Sequence, residues 1–289
     1  MCVMSEQEPS SNLAVSKVQV GGINVSYGQT GAGPELVLIH GLTGSLADWE
    51  SRGLPFLTNR FRVLVYDLRG HGSSDMPPSG YTSADMAADL AGLMDAIGIN
   101  RAHIVGHSFG GVIALHFAAL HPDRTIGVTV SDSRLHSLQP IQKVKDWIYW
   151  PIWEQQLKER GLSLDAEGEL DFTVIELLLA QRLSQGHEDM AEVDRGRAER
   201  WMKLLSSTTA RHDLKDPAGL TADLIQQIYV PTHLVYGGLS FGLPTCEKLK
   251  QLIPDAKSTI IPGAGHFYPA TRPKVFADEI ASFHTSIYK

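Results

Sequence analysis

The sequence predicts an α/β protein in which a mostly parallel sheet is flanked by helices and interrupted by a helical insertion. Short apolar runs of strand length, such as "ELVLIH" and "RVLVYD", alternate with segments of helical periodicity. Fully apolar strands of this kind are typical of parallel sheets that helices cover on both faces. After about Arg134 the alternation stops, and roughly 80 residues carry helical stretches without a clear strand until "THLVYGG". A structureless loop of that length would be exceptional in a compact domain, so we expect a helical insertion there.

The elements before the insertion follow from local patterns. "LAVSKVQV" and "INVSYGQ" are predicted to form a hairpin joined by Gly21-Gly22. The segment that begins "TSADMAADL" has helical periodicity, and Thr82 or Ser83 is its expected N-cap. A strand, a helix that ends before Pro122 and a further strand come next: "AHIVGHS", "FGGVIALHFAALH" and "IGVTVSDS".

The elements after the insertion complete the predicted domain. They are the strand "THLVYG", a helix opening at Pro244, the strand "KSTIIPG" and a closing helix from about Pro273. The chain is therefore expected to divide into four parts: a disordered tail (1–12), a first part of the α/β core (13–133), a helical cap (134–215) and a second part of the core (216–289).

Composition excludes several classes of function. The formal net charge is −7 and the basic residues are scattered, which argues against a nucleic-acid partner. The polar N-terminus has no apolar signal segment, and no apolar run approaches the length needed to span a membrane. Cys2 and Cys246 form neither a disulfide framework nor a metal-ligand spacing. We expect a cytoplasmic protein that acts on a small molecule without metal or cofactor; monomer and homodimer both remain open.

Two segments match the pattern G-x-S-x-G of a serine-hydrolase nucleophile elbow, at Ser108 and at Ser240. At Ser108 an apolar strand runs into the motif and a helix starts directly behind it. That context exposes the hydroxyl and directs the backbone N–H of Phe109 towards developing negative charge. The helix after Ser240 begins only at Pro244. Ser108 is therefore the predicted nucleophile.

Four motifs in a fixed order resemble the α/β-hydrolase superfamily: "HGLTGS" (40–45), "DLRGHGSSD" (67–75), "GHSFGG" (106–111) and "PGAGHF" (262–267). The resemblance covers nearly the whole chain apart from the tail and the insertion. It implies an eight-stranded sheet, a cap between the sixth and seventh strands, and a Ser–acid–His triad. It also implies that His266 is the general base and that the amide of Leu42 is the second oxyanion donor; alternatively, "HGLTG" is only a tight turn. Asp67 and Arg69 are expected to form a structural pair that braces this loop.

The third member of the triad departs from the family pattern. Most of the family places its acid after the seventh strand, where this chain has Ser240, and serine cannot carry the negative charge that stabilises an imidazolium. Asp132 ends the sixth strand, at the sheet edge where ligands bind, and a minority of the family places its acid there. Asp132 is the predicted acid. The alternatives are that Asp132 only caps its loop or that another carboxylate comes from the cap.

The insertion supplies a candidate pocket. "VKDWIYWPIWEQQ" holds four aromatic residues in the region that roofs the substrate site in the family: Trp147, Tyr149, Trp150 and Trp153. Alternatively, these residues only seal the cap onto the core. His107, the variable position of the elbow, is expected to line a wall of the pocket, and Ser240 is expected to lie there too, near His266.

The predicted function is hydrolysis of a carboxylic ester of a small, partly apolar substrate through an acyl-enzyme on Ser108. Amide and C–C bond hydrolysis remain alternatives, because the same triad serves them. A receptor that kept the pocket without turnover, and a cofactor-free lyase or oxygenase, are alternatives of other classes. A serine nucleophile argues against the dehalogenase and epoxide hydrolase chemistries, which use aspartate at this position in the family. We expect Asp132→Asn to cost orders of magnitude in turnover and Ser240→Ala to cost little.

Overall fold

The computed structural model describes residues 13–139, 141–148, 150–159, 161–170, 179 and 192–288. The predicted disordered tail (1–12) and Tyr149 lie outside the described residues. Within those ranges, no helix combines the length and the apolar character that crossing a bilayer requires.

Eight strands form one sheet, as predicted: β1 (Val15–Val20), β2 (Ile23–Gly31), β3 (Glu35–Ile39), β4 (Arg62–Tyr66), β5 (Ala102–His107), β6 (Thr125–Ser131), β7 (Thr232–Gly237) and β8 (Lys257–Ile261). Their order is β1-β2-β4-β3-β5-β6-β7-β8. The β1–β2 hairpin and the β2–β4 pair are antiparallel. All other neighbours are parallel, so the carboxyl ends of β3 to β8 share one edge.

Helices cover both faces of the sheet. In chain order they are α1 (Asp48–Arg52), α2 (Leu54–Leu57), α3 (Ser83–Ala96), α4 (Phe109–Leu120), α5 (Trp150–Glu159), α6 (Glu192–Ser207), α7 (Ala210–Asp213), α8 (Ala222–Ile225), α9 (Leu243–Leu252), α10 (Tyr268–Thr271) and α11 (Pro273–Ser286). Side chains alternate between the faces along each strand. In β3, Val37 and Ile39 pack in the cluster that contains α3 and α4, whereas Leu36 and Leu38 pack with α2 and α11.

The start of α3 shows how local sequence sets an element. The Thr82 hydroxyl accepts a hydrogen bond from the Asp85 amide (3.1 Å), and the Asp85 carboxylate accepts one from the Thr82 amide (3.0 Å). This reciprocal capping box satisfies N–H groups that a helix start leaves without partners. Of the two expected caps, the structure selects Thr82.

The described residues between β6 and β7 form helices α5 to α8. Helix α6 packs into the main core through Trp201, Leu204 and Leu205, whereas the segment around α5 builds an apolar cluster of its own. Its buried members are Val144, Trp147, Trp150, Leu157, Leu162 and Leu170. An isolated antiparallel bridge joins Lys143 to Glu169. The placement of a helical segment at this point of the chain agrees with the sequence, and the cap boundaries at 134 and 215 stay a prediction.

Several histidines are buried in their neutral form. Burial lowers the pKa of five of them to about 3 or 4: His40, His71, His103, His107 and His233. The Nδ1 atoms of His103 and His284 lie 2.9 Å apart beneath α11, so one of the two must be unprotonated to accept the other's hydrogen. Protonation of the accepting ring would put two N–H groups face to face.

Lowering the pH from about 7 to about 5 is therefore expected to reduce the free energy of unfolding steeply. An unfolded histidine takes up a proton near pH 6.5, whereas the buried ones stay neutral in the folded protein until about pH 4 or 3. The unfolded state thus binds more protons across this window, and each such histidine removes about 1 kcal/mol of stability per pH unit.

Urea unfolding at several pH values measures the slope of the free energy of unfolding against pH. His103→Gln should flatten it, and His212→Gln should not, because the side chain of His212 is 85% exposed. A stability that is the same at pH 5 and pH 7 would contradict the prediction.

Candidate active site

Ser108 lies in a strained turn between β5 and α4. Its φ is 57°, in the left-handed region that a residue with a Cβ rarely adopts. Two glycines permit the turn because a side chain would collide there. A Cβ on Gly106 would lie 2.0 Å from the carbonyl oxygen of Gly110, and one on Gly110 would lie 2.3 Å from that of Ile39. The G-x-S-x-G spacing at this position therefore has a steric cause.

Three side chains from distant parts of the chain meet at the carboxyl edge of the sheet. His266, in the loop between β8 and α10, places Nε2 3.0 Å from Ser108 Oγ and Nδ1 2.9 Å from Asp132 Oδ1. Because a carboxylate only accepts, Nδ1–H donates to Asp132, which leaves the Nε2 lone pair to accept from the Ser108 hydroxyl. The arrangement is that of an alcohol, a base and an orienting acid.

Asp132 follows β6 directly and is completely buried. Its φ is 49°, so it occupies the same uncommon backbone region as Ser108. Hydrogen bonds hold its carboxylate on two sides: the Gly237 amide donates to Oδ2 (2.7 Å), and the Ser240 hydroxyl donates to Oδ1, the oxygen that faces His266. A buried carboxylate needs such partners.

Ser240, the second G-x-S-x-G serine, thus lies behind the acid. Its Oγ also accepts from the Gly242 amide (2.9 Å). The expectation that Ser240 lines the pocket is corrected, because the residue is 3% exposed and is not among the residues that line the cavity described below. It stands beside Asp132 and makes no hydrogen bond to His266 within the described part of the chain.

His107 also lies outside the cavity wall where it was expected. Its Nε2–H donates to the backbone carbonyl of His266 (2.9 Å), and the centroids of the two rings are 5.0 Å apart. Burial lowers the pKa of His107 to about 4, so the ring is neutral. The side chain of His107 turns away from the cavity, towards the loop after β8, and packs against the imidazole of His266.

Two backbone amides belong to residues beside Ser108 that line the cavity described below, those of Leu42 and Phe109. Phe109 is the first residue of α4, where the helix leaves its N–H groups without partners. The loop after β3 approaches closely, since a Cβ on Gly41 would lie 2.8 Å from Ser108 Cβ. Leu42 follows in that loop. Within the described ranges neither the Leu42 amide nor the Phe109 amide has a hydrogen-bond acceptor, so both are available to a ligand.

A cavity of about 600 Å³ opens at Ser108 and His266. Trp147, Trp150 and Trp153 line it. Leucines contribute much of the remaining wall: Leu42, Leu135, Leu157, Leu162, Leu164, Leu170, Leu179, Leu214, Leu220 and Leu239. The cavity has the size and the largely apolar character of a small-molecule site.

A family model described as the α/β hydrolase fold matches residues 34–273. The chain belongs to the α/β-hydrolase fold family. The resemblance that its motifs suggested is confirmed, and the protein is an enzyme of the hydrolase type.

The relatives of this α/β hydrolase include a hydrolase of similar length. The chain is 27% identical to 2-(acetamidomethylene)succinate hydrolase of Mesorhizobium japonicum over 292 residues, which cover 97% of this chain and 98% of the relative. A solved structure of E-2-(acetamidomethylene)succinate hydrolase matches with a TM-score of 0.66 and 25% identity, over 94% of this chain and 99% of that chain. The enol-lactonase of Burkholderia xenovorans has a TM-score of 0.66 and 23% identity over 93% of this chain and 100% of that chain, a likeness of fold alone.

Sequence reasoning missed two aromatic residues of this α/β hydrolase. The ring centroids of Phe241 and Phe267 lie 4.8 and 4.9 Å from that of His266, and both residues line the cavity. Each adjoins a residue that the motifs did single out, Ser240 or His266, and this adjacency was the available signal.

The expected pairing of Asp67 with Arg69 is also corrected. Arg69 pairs with Asp89 at 2.6 Å. Asp67 accepts from the amides of Leu46 and Ser73, each at 2.7 Å, and so braces two loops by itself.

Proposed function

We propose that this enzyme hydrolyses a carboxylic ester of a small, partly apolar substrate through an acyl-enzyme on Ser108. The observation that carries the proposal is the continuous hydrogen-bond chain from Ser108 through His266 to Asp132, open at its serine end to an apolar cavity. A serine hydroxyl needs such a base to attack a carbonyl at neutral pH.

In the first half-reaction, Ser108 Oγ attacks the ester carbonyl while His266 Nε2 takes its proton. The Asp132 carboxylate stabilises the imidazolium that forms. The amides of Leu42 and Phe109 donate to the oxyanion of the tetrahedral intermediate. The intermediate then expels the alcohol, which takes the proton from His266 and leaves the acyl group on Ser108.

In the second half-reaction, water replaces the alcohol. His266 removes a proton from the water as it attacks the acyl carbonyl, and the same two amides stabilise the second oxyanion. Collapse of this intermediate returns the proton to Ser108 and releases the carboxylic acid.

The substrate proposal rests on the cavity wall. Tryptophans and leucines from the predicted cap (134–215) form much of it, and Arg134 and Asp216 are the charged side chains among its described lining apart from the titratable histidines. A ligand gains about 25 cal/mol for each Å² of apolar surface that it buries. We therefore infer that the cap encloses an apolar acyl or alcohol group of a small-molecule substrate.

Amide hydrolysis is the second candidate, because a relative that matches over 98% of its length is named as a hydrolase of an acetamido compound. The same triad can cleave an amide. The leaving amine is a poorer leaving group than an alcohol, so His266 would have to protonate it as the bond breaks.

Labelling and a matched substrate panel test the proposal. A fluorophosphonate should modify Ser108, and nitrophenyl esters of apolar acids should be hydrolysed faster than the nitroanilides of the same acids. Turnover of the anilides with similar kcat/KM would favour the amide candidate. A folded protein that takes no label and hydrolyses no member of the panel would contradict the acyl-enzyme proposal.

A further inference from the structure

The loop after β3, residues 41–45, holds the Leu42 amide in place, and we call it the oxyanion loop. Within it Thr43 has a φ of 63°, an uncommon value for a residue with a branched side chain. The Gly44 amide closes a turn by donating to the Gly41 carbonyl (3.1 Å). Such a backbone conformation costs free energy and persists only where surrounding contacts impose it.

Packing does not supply those contacts on every side of the oxyanion loop. A cavity of about 260 Å³ lies between the loop and helix α6, and its lining includes Thr43, Gly44 and Ser45. A loop that borders such a space loses the dispersion contacts that normally restrict movement. On this side, polar contacts across the gap replace packing as a restraint on the loop.

Arg197 of α6 makes those contacts. Its guanidinium donates from Nη1 to Asp48 Oδ1 (2.8 Å) and from Nη2 to Ser45 Oγ (3.1 Å). Asp48 Oδ2 in turn accepts from the Ser45 amide (3.2 Å). Arg52 is a second cation near Asp48, at 3.6 Å. The rigid fork of arginine suits this double contact, which a lysine could satisfy only in part.

We propose that Arg197 is a positioning residue for the proposed ester hydrolysis, because it fixes the oxyanion loop, and with it the Leu42 amide, through Ser45 and Asp48. The inference rests on the proposed function. In this role of Arg197, the segment between β6 and β7 fixes the position of an oxyanion donor and also forms part of the cavity wall. Arg197 acts through the loop and does not itself touch the reacting atoms.

Arg200 provides a matched control on the same helix. Its guanidinium donates from Nε to the Gly70 carbonyl (3.0 Å) and from Nη2 to the Ser74 carbonyl. These acceptors belong to the loop after β4, so Arg200 anchors α6 to the core without binding Ser45 or Asp48. Loss of either arginine weakens the attachment of α6, but only loss of Arg197 frees the oxyanion loop.

The test compares Arg197→Ala, Arg197→Lys and Arg200→Ala on an ester and on the thionoester of the same acid. A thionoester carries sulfur in place of the carbonyl oxygen, and sulfur accepts hydrogen bonds poorly. Deleting an oxyanion donor outright costs about 10²- to 10³-fold in kcat, and a misplaced donor should cost less. We expect Arg197→Ala to lower kcat for the ester about tenfold, with KM changed less than about twofold.

The ratio of ester to thionoester turnover should fall in Arg197→Ala, recover in part in Arg197→Lys and stay unchanged in Arg200→Ala. An unchanged ratio in Arg197→Ala, or an equal fall in Arg200→Ala, would overturn the inference while the wild-type enzyme still turns over the ester. A wild-type enzyme without ester turnover would instead overturn the proposed function, and the inference with it. Should Arg197→Ala not fold, Ser45→Ala removes one acceptor of the fork and must lower the same ratio.

Discussion

Replacing Ser108 by alanine is expected to lower kcat for ester hydrolysis by about 10⁶-fold, because the acyl-enzyme can no longer form. His266 and the two amides would remain, so a residual rate about 10³- to 10⁴-fold above that of water should persist. The rate of nitrophenol release at a saturating concentration of a nitrophenyl ester measures the loss of kcat. Binding of the substrate should change little, since the serine contributes only a small part of the cavity wall.

Ser137→Ala is the matched control for this substitution, because Ser137 also lines the cavity but lies outside the hydrogen-bond chain. It should retain nearly full activity. Circular dichroism and thermal unfolding establish that both variants fold. A Ser108→Ala enzyme with more than about one hundredth of the wild-type kcat would show that another group is the nucleophile.

Replacing Asp132 by asparagine is expected to lower kcat by about 10⁴-fold. Asparagine keeps the shape of the side chain but removes the charge that stabilises the imidazolium of His266. Its amide can also turn to donate towards Nδ1, which favours the tautomer in which Nε2 carries the hydrogen and cannot take the serine proton. The reason is geometric as well as electrostatic, because Asp132 Oδ1 lies 2.9 Å from His266 Nδ1.

Ser240→Ala is the comparison that separates the acid from its neighbour. The sequence alone predicts that this substitution lowers turnover only slightly. Because Ser240 donates to Asp132 Oδ1, the structure predicts a loss of about tenfold, at the lower end of what one hydrogen bond to a charged group contributes. The ranking decides the assignment: if Ser240→Ala loses more activity than Asp132→Asn, Asp132 is not the acid.

Residues whose role depends on local backbone geometry could be predicted from sequence. The strand, elbow and helix around Ser108 are encoded in adjacent residues, including the two glycines that a Cβ would push into neighbouring backbone. The position of Asp132 beside His266 could be predicted because the carboxyl ends of parallel strands meet at one edge. His266 required the family resemblance, since local pattern does not distinguish it from the other histidines.

Residues whose role depends on contacts between distant segments could not be predicted. Arg197 reaches Ser45 and Asp48 across about 150 positions of sequence, a separation at which a single sequence carries no pairing signal. The expectation that His107 faces the ligand was wrong, because the motif gives the position of this residue in the chain and not the rotamer of its side chain. The leucines that line the cavity have the same apolar pattern as leucines that pack in the core.

The sheet order has a consequence for how this site assembles. Ser108 and Asp132 belong to one compact β5–α4–β6 unit between residues 102 and 132, whereas His266 lies in the loop after β8. A single nick anywhere between β6 and β7 would leave alcohol and carboxylate on one fragment and the imidazole on the other. Turnover by such a nicked chain would report directly on whether the two fragments have docked.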